Sequence, residues 1–206
     1  MELIIDDFSK SFNQKKIFCN FTYTFHNNEI YLLIGKNGVG KSTLLKCIAT
    51  LHLSDTGRIS FQHVDIKSVK QYREYRKHVS LFVEADKSLH SNLTVLQNIK
   101  FFLGINNISY KKSKKEIWEL LKKFELQDFA NKKVAELSKG MKQKVALIIA
   151  FLKQKDIILL DEPYDGLDAT AVNVLNHLLQ TYSKEKIIII TAPRIMESVA
   201  TKIINL

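Results

Sequence analysis

The run Gly35-Lys36-Asn37-Gly38-Val39-Gly40-Lys41-Ser42-Thr43 brings three glycines, two lysines and two hydroxyls together at a spacing that suits the cradling of phosphate. Glycines let the backbone wrap its N–H groups around a triphosphate, Lys41 can reach the outer phosphates, and the Ser42 hydroxyl is placed to ligate Mg²⁺. The apolar run Ile30–Ile34 precedes this stretch and Leu44–Leu51 follows it, giving strand, loop and helix in the order a phosphate cradle needs. The plain alternative is a glycine turn joining a strand to a helix. Fixed glycines with Lys and Ser between the correct flanking elements make it the poorer reading.

A second candidate is Ile157-Ile158-Leu159-Leu160-Asp161-Glu162-Pro163, a buried strand ending in two carboxylates. Such an end lies at the carboxyl edge of a parallel sheet, where ligands bind. Asp161 can hold the water shell of Mg²⁺, and Glu162 is placed to orient and partly deprotonate a water for attack on a γ-phosphate. Alone, the run could be a strand capped by a solvated acidic turn; behind a phosphate loop the catalytic reading prevails. A third candidate, Leu137-Ser138-Lys139-Gly140-Met141-Lys142-Gln143, opens the helical pattern Val145, Ile148, Ile149, Leu152. Ser138 suits the N-cap, so exposed N–H groups and the helix dipole could form an anion site, although a capped helix start is the commoner explanation. The chain has only seven glycines and two prolines, and five of those glycines and both prolines fall in or beside the candidate segments. Folding punctuation alone does not account for that.

The elements that must position these residues are legible in outline. Short β-type runs (Leu3–Ile5, Phe21–Phe25, Ile30–Ile34, Ile59–Phe61, Val79–Val83) surround the phosphate loop in residues 1 to about 84. From about 88 to 153 the period becomes helical, through Leu93, Leu96, Ile99, Phe102 and Leu103 and then Ile117, Leu120, Leu121 and Phe124. An inserted helical subdomain is expected there, with Trp118 and the phenylalanines used for packing rather than ligand stacking. The β pattern returns at Ile157–Leu160 and Ile187–Ile190, separated by the amphipathic stretch Ala169–Tyr182. Apolar strands alternating with helices indicate a parallel sheet covered on both faces.

At 206 residues and 46% hydrophobic, the chain accommodates one compact α/β domain with an inserted subdomain, and no C-terminal regulatory domain is expected. No segment approaches the roughly 18 apolar residues that cross a bilayer, and Met1–Lys10 lacks a secretory signal pattern, so an intracellular protein is expected. Cys19 and Cys47 are too few for a disulfide framework and lack metal-ligand spacing; both are expected to be core or helix-packing residues. The net charge of +10 is spread along the chain, and the cluster Lys111-Lys112-Ser113-Lys114-Lys115 reads best as a solvated helix face.

Phosphate loop, Ser-x-Gly helix start, apolar strand with Asp-Glu-Pro, and Gly166-Leu167-Asp168 together resemble, over essentially the whole chain, an ATP-binding cassette (ABC) ATPase. The resemblance implies an α/β P-loop NTPase (RecA-like) core with a parallel sheet, an N-terminal antiparallel β region and an inserted α-helical subdomain. The core would comprise residues 1–87 and 154–206 and the subdomain 88–153 of a single domain. It implies a head-to-tail dimer, homo- or heteromeric, that sandwiches ATP and Mg²⁺. Lys41, Ser42, Asp161 and Glu162 of one subunit would face Ser138 and Gly140 of the other, with Asp168 in the loop communicating between sites. Asn37, Gly38, Gly40 and Thr43 would complete the phosphate contacts. Phe12 stands where the family places an adenine-stacking aromatic, and stacking needs only a π-face. An integral membrane permease is the implied partner, the subunit lying at the inner face of the cell membrane through it.

Two departures from the family pattern bear on chemistry. A Gln that approaches Mg²⁺ after Leu81-Phe82-Val83 is missing; Glu84 or, one step on, Ala85 stands there, and a carboxylate would add charge beside the metal. The histidine that touches the γ-phosphate is replaced by Pro193 in Thr191-Ala192-Pro193-Arg194, and proline offers no donor, although nearby Arg194 could bring charge. Slow hydrolysis is therefore expected. In the signature, Lys139 and Met141 replace the commoner Gly and Gln, a form similar to ATPases of ABC-2-type exporters. The resulting expectation is an ATP-hydrolysing subunit that powers a separate permease, in the export direction. The alternatives are a degenerate nucleotide-binding subunit paired with an active ATPase, or a soluble nucleic-acid-linked ABC ATPase. The last usually carries a second cassette or coiled-coil arms that do not fit within 206 residues, so nucleic acid is not expected as a partner.

Overall fold

The computed structural model describes residues 1–13, 15–83, 85–192 and 199–206. In chain order the elements are β1 (Glu2–Phe12), β2 (Lys15–His26), β3 (Ile30–Ile34), α1 (Lys41–Ile48), β4 (Thr56–Phe61), β5 (Val64–Asp65), α2 (Val69–Arg76) and β6 (Val79–Phe82). Then follow α3 (Ala85–Ser88), α4 (Val95–Ile105), α5 (Tyr110–Lys123), α6 (Lys139–Leu152), β7 (Ile157–Leu160), α7 (Ala169–Ser183), β8 (Ile187–Thr191) and β9 (Lys202–Asn205). The chain divides into two compact units. One comprises Met1–Leu81, Lys155–Asp161 and Leu179–Leu206, and the other Phe82–Gln154 and Glu162–Leu178.

The first unit is built on a five-stranded sheet ordered β6-β7-β8-β3-β9, in which β7–β8, β8–β3 and β3–β9 run parallel. Its central strands read Ile-Ile-Leu-Leu and Ile-Ile-Ile-Ile-Thr, and every residue of both is buried. Strands covered on both faces can carry such unbroken apolar runs, and each buried aliphatic side chain contributes roughly 1.5–3 kcal/mol before entropy is counted. Parallel strands release their carboxyl ends on one edge, which is where β3 hands the chain to Gly35 and β7 hands it to Asp161. Helix α1 buries Leu44, Leu45, Cys47 and Ile48, and burial pushes the Cys47 thiol up to about 11, so it is an inert packing group.

A second sheet of this unit, β2-β1-β4-β5, is the N-terminal antiparallel region. Leu3 and Ile5 of β1 point inward at the strand's period of two, but the next fully buried residue is Phe8, three positions on. Asp7 causes the slip: it adopts φ +49°, inserts an extra residue into the pairing, and donates its N–H to Thr22 Oγ1 at 3.0 Å. Gly57 of β4 lies opposite, at φ +80°, where a Cβ would come within 2.3 Å of the Asp7 carbonyl oxygen.

In the second unit α3, α4 and α5 pack on α6, whose residues from Gln143 to Leu152 are all buried. Thr94 and Gln97 form a capping box at the start of α4. Asn98, fully buried, donates its amide to the carbonyls of His90, Leu93 and Thr94, which fixes the approach to that helix. On α5 the buried residues Ile117, Leu120 and Leu121 oppose exposed Lys111, Lys112, Lys114 and Lys115, so the basic cluster is a solvated helix face.

Two packing expectations are corrected. Trp118 is 37% exposed, because one residue beyond buried Ile117 rotates it about 100° off the apolar stripe of α5. Phe101 on α4 is likewise exposed, whereas Phe124 and Phe151 are fully buried. Cys19 is exposed, since it lies on edge strand β2 beside Asn20, itself at φ +53°. Among the described residues no helix is long and apolar enough to cross a membrane.

Candidate functional site

The glycine loop leaves β3 at Gly35 and enters α1 at Lys41. Gly38 and Gly40 have φ of +81° and +119°, values that side-chain-bearing residues rarely adopt. A Cβ on Gly40 would lie 2.5 Å from Ile17 Cγ2 and 2.9 Å from the Phe18 ring, so the loop is pressed against β2. A Cβ on Gly38 would meet nothing within 4 Å, so this turn faces open space, with Lys36 and Asn37 exposed beside it. Gly40, the N-cap of α1, provides no side-chain cap, and the first turn holds no acidic residue. A helix start of that kind suits an anion.

Lys41 is only 5% exposed, and its ammonium donates to the carbonyls of Gly35 at 2.8 Å and Lys36 at 3.3 Å. The loop thus curls around the amine. Ser42 Oγ donates to Asp161 Oδ1 at 2.9 Å, and Thr191 Oγ1 donates to the same oxygen at 2.8 Å. These hydroxyl and carboxylate oxygens form a hard donor set, which fits Mg²⁺ held by one carboxylate, a hydroxyl and phosphate oxygens. Among the described residues no three His, Cys, Asp or Glu side chains gather as a separate metal site. Thr191 is a site residue that sequence reasoning misses; its signal is a lone hydroxyl residue ending an all-isoleucine strand.

Phe12, at the end of β1, is 40% exposed. Its ring meets His52 edge-on at 5.5 Å and lies 5.1 Å from Lys10 Nζ. Lys10 also pairs with Asp55 at 2.7 Å and, together with the Ser11 N–H, holds that carboxyl below the usual carboxylate range. The ring is therefore a braced surface group.

In the second unit Ser138 caps α6, its hydroxyl accepting the Met141 N–H at 3.2 Å. Gly140 presses on the loop after Glu162, since a Cβ there would lie 2.5 Å from the Gly166 carbonyl oxygen. Lys139, the departure from the usual signature glycine, pairs with Asp165 at 2.7 Å. Buried Lys144 reaches Asp168 at 2.6 Å, and Asp168 Oδ1 accepts the Ala171 N–H at 2.8 Å, capping α7. These two donors, Lys144 foremost, hold the Asp168 carboxyl below its usual range. Lys144 also escapes sequence reasoning, for it ends the polar stretch Lys142-Gln143-Lys144 before the apolar run of α6 and gives no cue that it is buried and paired. Glu162 is exposed and has φ +48°. Glu84, Pro193 and Arg194 lie outside the described residues.

The ABC transporter family model matches residues 18–165, more than half of the chain. The chain belongs to the ABC transporter family as an ATP-binding subunit. This ABC subunit is 32% identical over 201 residues to ABC transporter ATP-binding protein NatA of Bacillus subtilis, covering 96% of the chain and 81% of that relative. It is 36% identical over 170 residues to the probable sulfate/thiosulfate import ATP-binding protein CysA of Chlorella vulgaris, with 82% and 70% covered. Methionine import ATP-binding protein MetN of Francisella tularensis subsp. holarctica is 36% identical over 168 residues, and the chain spans about half of it, 48%. Among solved structures, one described as the ATP binding subunit of an ABC transporter superposes with TM-score 0.90 at 26% identity, covering 100% of this chain and 86% of that one. The P-loop NTPase fold expected from the sequence is thereby established, and as an ABC ATP-binding protein the chain is an ATPase.

Proposed function

We propose that this subunit hydrolyses ATP with Mg²⁺ at a dimer interface and drives a separately encoded integral membrane permease. The observation that supports this most directly is the convergence of Ser42 and Thr191 on Asp161 Oδ1, at 2.9 and 2.8 Å, beside a glycine loop that carries Lys41. In the proposed site Lys41 holds the outer phosphates, Asn37, Gly38, Gly40 and Thr43 surround them, and Phe12 stacks on adenine. Ser42 and Asp161 hold Mg²⁺, with Glu84 as a further acidic contact, and Mg²⁺ offsets charge on the phosphate oxygens. Glu162 accepts the proton of the attacking water. Ser138 and Gly140 approach the nucleotide from a second ABC subunit, and Asp168 links the two sites. The protein works at the inner face of the membrane through its permease. Cross-linking in native membranes tests the assignment: capture of a polytopic permease supports it, and capture confined to nucleic-acid assemblies overturns it.

Export is the proposed direction, on the spelling Ser138-Lys139-Gly140-Met141-Lys142-Gln143. The import names of CysA and MetN weigh against it, and ATP-driven accumulation of cargo in inside-out membrane vesicles decides for export. Hydrolysis is proposed to be slow because Pro193 lacks a side-chain donor. Loss of one charge-stabilising donor costs about 10²–10³ in rate, and restoring it at an unoptimised position returns part of that. Pro193→His is expected to raise kcat about tenfold; a steady-state ATPase assay showing a fast wild type and an unchanged variant would sink this.

A further inference from the structure

The backbone of Glu162 is left-handed, at φ +48°, although the residue carries a full side chain. That conformation brings Cβ close to the following carbonyl oxygen, so it persists only where the surroundings hold it. Within the second unit the hold comes from α6. Gln143 is 5% exposed, and its Nε2 donates to two successive carbonyl oxygens, at 3.4 Å to Glu162 O and 3.3 Å to Pro163 O. A primary amide is well matched to two adjacent carbonyls, because it presents two donors from a neutral head that can be buried without the desolvation cost of a charge.

The far end of the same turn is fixed by the same helix. Gly140 lets the Gly166 carbonyl approach closely, and Lys144 holds Asp168 at 2.6 Å. Successive turns of α6 therefore grip the segment 162–168 at its start and its end. We propose that Gln143 is the positioning residue for Glu162: through its two carbonyl contacts it fixes the left-handed backbone that aims the Glu162 carboxylate. The proposal rests on the reading of Glu162 as the water-activating base.

Two variants test it. Gln143→Met keeps the length and loses the donors; Gln143→Asn keeps the amide but withdraws it by one methylene. In the nucleotide-free protein, the ¹³C shifts of Glu162 Cα and Cβ are expected to leave the left-handed range in Gln143→Met, and wild-type shifts would overturn the proposal. With ATP, kcat is expected to fall about ten- to a hundredfold while nucleotide affinity by calorimetry stays unchanged, because misplacement of a catalytic group by about 1 Å has effects of that size. In a Glu162→Gln background the same substitution is expected to add no further loss, and an equal loss in both backgrounds would overturn the proposal. Should Gln143→Met fail to fold, Gln143→Asn is held to the same readouts. Failure of the underlying reading looks different: Glu162→Gln alone would keep the wild-type rate, whereas the shifts of Glu162 in the Gln143 variants would still be decided on their own.

Discussion

Glu162→Gln is expected to lower kcat for ATP by about 10²- to 10⁴-fold, the usual contribution of a positioned general base, without loss of ATP affinity. Glutamine is nearly isosteric, so the turn held by Gln143 through the Glu162 and Pro163 carbonyls is retained, but an amide cannot take a proton from water. In the proposed site the binding groups and the catalytic group are separate, and only the second is removed. Where ATP bridges two subunits as proposed, an ATP-dependent dimer should then outlive the run time of a sizing column, because the bridging nucleotide is consumed more slowly. Turnover by the variant at the wild-type rate would remove Glu162 from the mechanism.

Lys41→Ala is expected to weaken ATP binding about a hundredfold, since a charge-assisted hydrogen bond to a phosphate oxygen is among the stronger single contacts a side chain can make. Lys41 is 5% exposed, and its ammonium is held by the dipoles of the Gly35 and Lys36 carbonyls, at 2.8 and 3.3 Å. Removing a buried cation of this kind relieves desolvation, so the melting temperature should hold or rise while affinity falls. The opposite signs separate a binding role from a structural one. Calorimetry with Mg²⁺ and ATP, paired with a thermal melt, reads both, and unaltered affinity would defeat the assignment. Lys41→Arg should not rescue, because a planar guanidinium cannot occupy a loop closed around a compact ammonium.

The parts of the fold that are legible in the sequence are those with one uninterrupted physical cause. Ile157–Leu160 and Ile187–Ile190 are apolar throughout because both faces of their sheet are covered, and α7 shows its helical period plainly. Strands β1 and β2 are far longer than the runs Leu3–Ile5 and Phe21–Phe25 suggest, because bulges at Asp7 and Asn20 reset the alternation that marks a strand. Helix α2 is hard to see in the sequence because Tyr75 is its single buried residue, so no apolar stripe exists; its available signal is the Ser68–Gln71 capping box. At the site, the glycine loop and the Asp161-Glu162 pair announce themselves through residue type and spacing. Thr191, Gln143 and Lys144 do not, since their contacts join segments distant in sequence, at 30, 19 to 20, and 24 positions.

The bulge at Asp7 and the glycine at 57 amount to a matched pair in the antiparallel sheet. With the bulge in place, any side chain at 57 would strike the Asp7 carbonyl at 2.3 Å, and the φ of +80° at that position already disfavours one. Neither position can drift by itself: deleting Asp7 would slide Phe8 out of the interior, and replacing Gly57 would force the bulge open. A library of variants that randomises both together should yield its folded members as coupled exchanges, so these two residues behave as a single heritable character.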